Sequence, residues 1–503
     1  MRLVLLLLLG FVMSPIVLSA QDRCGTIQTQ EMWDNFRKNK TNWNTTINRG
    51  YVSRFVPVTF QMVADNAGEG RISQQACLRA LCIINERYEA AGADMSFYLA
   101  GFEEINNSTL HVHPFGSIGF MNSIRDRASL NIFVVSEIYD RNGEPGGNVA
   151  GFYTPGADVV VVRIANLADP TYTAEHEIGH FFSLAHTHNG WEDLSYHPDD
   201  YPEKIEFLEI EVTTQGGGVR LVELVDGSNC EIAADEICDT PADYGHGSTC
   251  NCCDPERWTI LDRNCDTLAP MMNNIMSYSG RCNTWEFTPD QIVAIQTDYD
   301  SPNRLYLRGG DVDQYTPITD PVVYIGPGVV GALEVHEIYD DILFDWEDVA
   351  NAEYYELTVN GEKFITQESE YRITTLTANS FNNWSVVAYN VFGGGCVESS
   401  EILFRTGTGS SSVSDLDFVE DVNIYPNPLS DKDALSVQFN STKSIDATLQ
   451  LFNVEGKELY RAKVNFRSGL NSFSVPTQDI ETGIYILNIN TPEGLITEKI
   501  VKR

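Results

Sequence analysis

Three histidines and a glutamate in HEIGHFFSLAH, running from His176 to His186, have the types and spacing of a catalytic metal site. His176 and His180 stand four residues apart, so on a helix both rings leave one face and can grip one ion through their nitrogens. Glu177 lies beside them. His186 comes six residues later, where a continuing helix would carry it off that face; the chain must turn soon after Phe182 to bring its ring back. Three neutral imidazoles leave a fourth tetrahedral position open for water, the arrangement that separates catalytic zinc from closed structural zinc. Zinc would pull the pKa of that water towards neutrality, and Glu177 is placed to take its proton as it attacks a carbonyl. The bland alternative is a solvated or buried helix with unrelated histidines, and the third histidine weighs against it.

The stretch NNIMSYSG, from Asn273 to Gly280, resembles the Met-turn of metzincin metallopeptidases. The resemblance implies that Met276 is an apolar floor beneath the metal ligands and that Tyr278 donates a hydrogen bond to the developing oxyanion. FVPVTFQMV from Phe55, the runs NIFVV and DVVVVR, the HTH that begins at His186 and CDTPAD from Cys238 to Asp243 extend the likeness over residues 50 to 300. Together they resemble the pappalysin branch of the metzincins, in particular its bacterial secreted members. That likeness implies a zinc endopeptidase acting on proteins or peptides, with His176, His180 and His186 as ligands and Glu177 as general base. One position departs from the family pattern. Ser183 stands where the motif usually has a glycine with positive φ, at a cost on the order of 1 kcal/mol, and His188 is the near substitute for His186.

Residues 1–20 read as a secretory signal, with Arg2, the run LVLLLLLGFV and a small-residue exit at Leu18-Ser19-Ala20. No later stretch is long and apolar enough for a membrane-spanning helix. Eleven cysteines fit an oxidising compartment, and the odd total leaves at least one thiol over. Cys230, Cys238, Cys250, Cys252, Cys253 and Cys265 crowd the region before the Met-turn, with Cys282 just after it. Disulfides pinning that segment and a structural zinc cluster are the competing readings. Arg23-Cys24-Gly25-Thr26 resembles the latency motif of pappalysin pro-segments, which implies that Cys24 blocks the open metal position and that residues 21–49 are a pro-segment. An ordinary disulfide cysteine is the alternative.

The formal net charge is −38, from 33 Lys plus Arg against 71 Asp plus Glu. Such a chain repels phosphate backbones, so nucleic acid is a poor partner. Acidic stretches such as Asp235 to Asp243 are candidate calcium positions by family analogy, with a solvated loop as the plainer reading.

The length calls for several domains. A catalytic domain over 50–302 is expected to be mixed α/β, with strands at Phe55–Val63, Leu130–Val135 and Asp158–Val162. Its helix, from Ile72 to Ala91, carries Ile72, Ala76, Ile84 and Tyr88 at roughly helical spacing. Residues 318–405 alternate apolar and polar and resemble a fibronectin type III sandwich, with Trp346 in its core, Trp384 on a later strand and Cys396 lacking a local partner. A Gly/Ser linker over 407–417 leads to 418–503, where VNIYPNPLS, LQLFNVEGKEL and TGIYILNI strongly resemble the sorting domain of type IX secretion cargo of Gram-negative bacteria. Tyr425-Pro426-Asn427-Pro428 opens this second sandwich, and Gly456 and Gly483 are read as its turns. The resemblance implies the secretion machinery as a partner, a secreted or cell-surface destination and removal of the tail. The rival to an enzyme is a surface adhesion or binding protein whose metal site is degenerate, a reading suggested by Ser183 and by two β-domains.

Overall fold

The computed structural model describes residues 23–503 except 45–53, 146–148, 168–171, 193, 213–217, 251, 280–281, 310–315, 329–332, 337, 397–399, 409–417, 431–433, 455–456, 479 and 493. The expected signal, most of the linker and the expected turn at Gly456 therefore lie outside the described residues. The chain is multidomain and rich in β-structure, and divides into two compact units. Among the described residues no helix is long and apolar enough to cross a membrane.

The first unit is built on a six-stranded mixed sheet. Its elements in chain order are β1 (Arg23–Cys24), α1 (Gln30–Lys40), β2 (Arg54–Ala64), α2 (Gln74–Ala90), β3 (Met95–Asn106), β4 (Leu130–Val135), β5 (Val149–Thr154), β6 (Val159–Arg163), α3 (Thr173–Phe181) and α4 (Pro289–Asp300). The spatial order is β1-β5-β6-β4-β2-β3. β2, β3, β4 and β6 run parallel, and β5 is antiparallel to β6. The central strands β2 and β4 are buried on both faces, which is why their sequences are nearly unbroken apolar runs rather than alternating ones. β1 pairs parallel with β5, setting the Cys24 backbone along the edge of the sheet nearest α3.

Ile72 falls just outside α2, because Ser73 caps that helix by accepting from Ala76 N at 3.2 Å. Tyr88, near its far end, donates to Glu175 O at 3.2 Å, and Arg87 pairs with the Glu175 carboxylate at 2.9 Å, so α2 fixes the start of α3. α4 opens with a reciprocal cap between Thr288 and Gln291. The amide of Gln291 also exchanges two hydrogen bonds with Asn274, at 2.8 and 3.2 Å, tying the helix to the turn that carries Met276.

Six of the seven crowded cysteines form the disulfides Cys230–Cys238, Cys250–Cys252 and Cys253–Cys282, Cys265 does not, and among the described residues none of them joins a metal-binding cluster. Cys396 does have a partner, because Cys82 of α2 is bonded to it; residues 387–399 belong to the first unit, with Leu99 N donating to Val391 O at 2.7 Å along β3. Cys24, Cys77 and Cys265 are left as free thiols.

In the second unit, Ile342–Trp346 pairs with Glu370–Ile373 and Tyr324–Gly326, while Ile402–Arg405 pairs with Phe381–Asn390 in a separate sheet. Trp346 and Trp384 are both buried, and the Trp384 indole donates to Pro327 O at 2.7 Å. The C-terminal strands form a three-stranded and a four-stranded sheet around a core that includes Leu449, Leu451, Leu487 and Ile489. Asn427, between two prolines that cannot donate, supplies side-chain bonds to Lys499 O and from Val501 N, at 2.7 and 3.0 Å, in place of ladder bonds. Gly483 opens the strand Gly483–Thr491 and is no turn; period-2 residues begin directly after it.

Candidate metal centre

α3 places His176 and His180 one turn apart on a buried face, and it ends at Phe181. The reversal that follows is made by Ser183, whose φ of 72° lies in the left-handed region. Its hydroxyl donates to Asp298 Oδ1 at 3.3 Å, and Leu184 N closes the turn on Gly179 O at 3.0 Å. Serine thus adopts the glycine-like conformation with a side-chain tether that glycine lacks. The reversal returns His186 to the other two rings, so His188 is not needed as a substitute.

The Nε2 atoms of His176 and His186 lie 3.1 and 3.0 Å from that of His180. Three tetrahedral ligands at zinc–nitrogen distances would stand about 3.3 Å apart. Each ring's other nitrogen is already engaged. His176 Nδ1 faces Ile275 O at 2.6 Å, His180 Nδ1 faces Leu184 O at 2.8 Å and His186 Nδ1 faces Glu192 Oε1 at 3.3 Å. With each Nδ1 so occupied, the three clustered Nε2 atoms are the donors left over, and three imidazole nitrogens are a set that zinc takes. Burial holds all three rings neutral: His176 is pushed down to about 4, and His180 and His186 fall well below their ordinary value with further repulsion from neighbouring histidines. Cys24 joins the three histidines, all four ligand atoms lying within 4.8 Å of one another.

Glu177 is fully buried, and desolvation pushes its carboxyl up to about 7. Its Oε2 accepts from Thr26 Oγ1 at 2.8 Å and from Cys24 Sγ at 3.4 Å, while Oε1 has no protein partner. Tyr278 donates to Cys24 O at 3.3 Å, and burial followed by the nearby Cys24 and Glu177 keeps its phenol protonated. Met276 packs under α3 so closely that a Cβ on Gly179 would collide with its sulfur, which explains the glycine inside HEIGH.

The sequence reading missed four participants. Thr26 binds Glu177, and Glu192 orients His186. Asp243, the last residue of CDTPAD, accepts from Thr187 at 2.8 Å and Ser277 at 2.9 Å, joining the third-histidine turn to the Met276 turn. Asp298 holds Ser183. CDTPAD was the signal for Asp243 and Arg23-Cys24-Gly25-Thr26 the signal for Thr26; Glu192, six residues after His186, and Asp298, 115 residues from Ser183, belong to no quoted motif.

Glu223 and Asp235 form a second acidic locus. Each has a buried carboxylate oxygen without a protein partner, and burial plus repulsion from Asp235 and Asp243 pushes Glu223 up to about 9.

An extracellular metalloprotease of Arthroderma gypseum is 21% identical over 290 residues, covering 55% of this chain and 84% of that protein. The crystal structure of FN3tt matches 16% of this chain and 92% of its own, at 22% identity and a TM-score of 0.14. The FN1–FN3 domains of chicken CNTN1 match 36% of this chain and 66% of their own, at 14% identity and a TM-score of 0.17. Residues 423–503 match the secretion system C-terminal sorting domain, so the chain ends in a type IX sorting tail and is destined for the cell surface or beyond.

Proposed function

We propose that the first unit is a secreted zinc endopeptidase of the pappalysin-like metzincin type, held latent by its leading segment. The observation that carries this reading is the convergence of three neutral, buried Nε2 atoms beside a carboxylate that titrates near 7. Weak similarity to an extracellular metalloprotease supports it. His176, His180 and His186 would hold the ion. Zinc, when bound, supplies a Lewis acid and acidifies water towards neutrality.

The chain's own residues do the rest. Glu177 takes the proton of the attacking water and passes it to the leaving amine; a carboxyl poised near neutrality serves both transfers. Tyr278, once released from Cys24 O, donates a hydrogen bond to the developing oxyanion and keeps its proton. Gly151 lets strand β5 approach Glu177, since a Cβ there would meet Glu177 Cγ at 3.0 Å and Val161 O at 2.9 Å. Met276 keeps the floor beneath the rings apolar.

Latency follows from the same geometry. Cys24 is placed to fill the open ligand position and Thr26 to occupy Glu177, so the site is blocked at the metal and at the base until the segment is cut away. A degenerate adhesion protein is not favoured, because Ser183 builds the turn that a glycine normally builds.

Calcium is the second proposed ion, at Glu223 and Asp235, whose unpartnered oxygens are the hard ligands it takes. Asp243, whose two oxygens accept from Thr187, Ser277 and Gly245 N, has no unpartnered oxygen to offer beside them. Export begins with a signal at residues 1–20, and the substrates are proteins or peptides. Incubating processed protein with casein, with and without a chelator, tests the reading; hydrolysis is expected only without it, and chelator-resistant cleavage or none at all would reject it.

A further inference from the structure

The leading segment is made of two parts, a plug and an anchor. The plug is Cys24 to Thr26 at the metal centre. The anchor is α1, which seals nothing catalytic, yet it buries Met32, Trp33 and Phe36 in the core cluster that also contains Ile292, Ile295 and Tyr299 of α4. Beside these apolar side chains the last turns of the same face are basic. Arg37 forks onto Glu236, with Nε at 3.0 Å from Oε2 and an NH2 nitrogen at 2.5 Å from Oε1. Lys40 pairs with Glu231 at 2.8 Å and donates to Glu236 O, and Asn39 donates to Asp298 Oδ1 at 2.7 Å. Almost every polar contact therefore has the helix donating and the groove accepting.

The walls of the groove are also held by contacts that do not involve α1. Its acidic rim, Glu231 and Glu236, lies inside the loop closed by Cys230–Cys238, and its floor is the capped helix α4. Asp298 keeps Arg304 at 3.0 Å and Ser183 at 3.3 Å whatever happens to Asn39. Through Ser183 the groove also abuts the end of the metal-bearing helix α3.

We propose that this groove, once vacated, is a docking site for a basic amphipathic helix carried by protein substrates. The inference rests on the peptidase reading and on removal of the leading segment. The pattern that fits is the one α1 displays: an aromatic pair at i and i+3, as in Trp33 and Phe36, with cations at i+4 and i+7, as in Arg37 and Lys40. A substrate bearing such a helix a short linker away from its scissile stretch gains a raised local concentration at the metal centre. The acidic rim selects for charge and speeds encounter.

The test uses the full chain with a specific cleavage site placed in residues 45–53, so that folding precedes cutting. After cutting and gel filtration, a labelled synthetic peptide of residues 28–44, which lacks Cys24 and Thr26, is titrated by fluorescence anisotropy. Binding is expected, about tenfold weaker for a peptide carrying Arg37→Glu and Lys40→Glu and for protein carrying Glu236→Arg. The same helix is then fused through a flexible linker to an unstructured reporter. Its kcat/KM should exceed that of the bare reporter by about tenfold or more, with the ratio falling to about one in Glu236→Arg. Equal rates for the two reporters overturn the proposal. So does a segment that never leaves the cut protein, or whose release unfolds it, since α1 would then be ordinary core. If neither reporter is cleaved, the peptidase reading fails, and charge-dependent peptide binding or its absence decides the docking site alone.

Discussion

Thr26 and Glu177, 151 residues apart in sequence, share a hydrogen bond of 2.8 Å in the interior, with the threonine hydroxyl donating to Oε2. The same hydroxyl accepts from Tyr153 N at 2.7 Å, so β5 itself holds Thr26 against the Glu177 carboxylate. A water approaching Oε2 meets a competitor that is already seated.

Removing the plug should therefore wake the uncut chain in two steps. Cys24→Ala should raise peptide hydrolysis by full-length protein at least tenfold, and adding Thr26→Val should raise it again, because a hydrogen bond to a charged group contributes about 1.5–3 kcal/mol. Fluorogenic peptide assays on unprocessed protein measure both. Unchanged silence in the double variant would mean that latency lies elsewhere.

Glu177→Gln should leave zinc content intact and depress kcat of the processed form by about 100-fold to 10,000-fold, the range a positioned base contributes. Metal analysis beside turnover separates the two effects. Retained turnover would reject Glu177 as base.

Ser183→Gly should be nearly silent. Relief of the left-handed backbone, about 1 kcal/mol, is offset by loss of the hydrogen bond to Asp298, which contributes about 0.5–1.5 kcal/mol, so the two nearly cancel. Ser183→Val has neither compensation and should lower the thermal midpoint and weaken zinc binding by a strain of about 1–3 kcal/mol. A glycine variant that loses zinc would sink the idea that the turn tolerates either residue.

The acidic locus gives stability a pH dependence. Glu223 titrates near 9 in the folded chain against an ordinary value of 4.5, so the native state binds the extra proton and stability falls as pH rises between those values. A calcium ion would reverse this slope by favouring the ionised carboxylates. Thermal melts at pH 5 and pH 8.5, with and without calcium, should show the larger calcium gain at the higher pH; equal shifts would remove calcium from Glu223.

The parts of the site legible in sequence are those written in short range. His176, Glu177 and His180 occupy one helical turn, and Leu130–Val135 shows as a strand because burial on both faces makes its run apolar throughout. Thr26, Glu192 and Asp298 act across contacts that no periodicity encodes. The strand β1, two residues long, leaves no pattern at all, and neither does the pairing of Cys82 with Cys396. Ser183 misled in the other direction: a family glycine was absent, while the compensating carboxylate stood 115 residues downstream.

The bond between Cys82 and Cys396 also sets a timetable. Its halves are separated by 314 residues, so a ribosome must pass well beyond the histidines before the clasp can close, and only an oxidising space lets it form. Order of synthesis and redox geography thus postpone closure of the clasp until both of its halves have been made and have met an oxidising space.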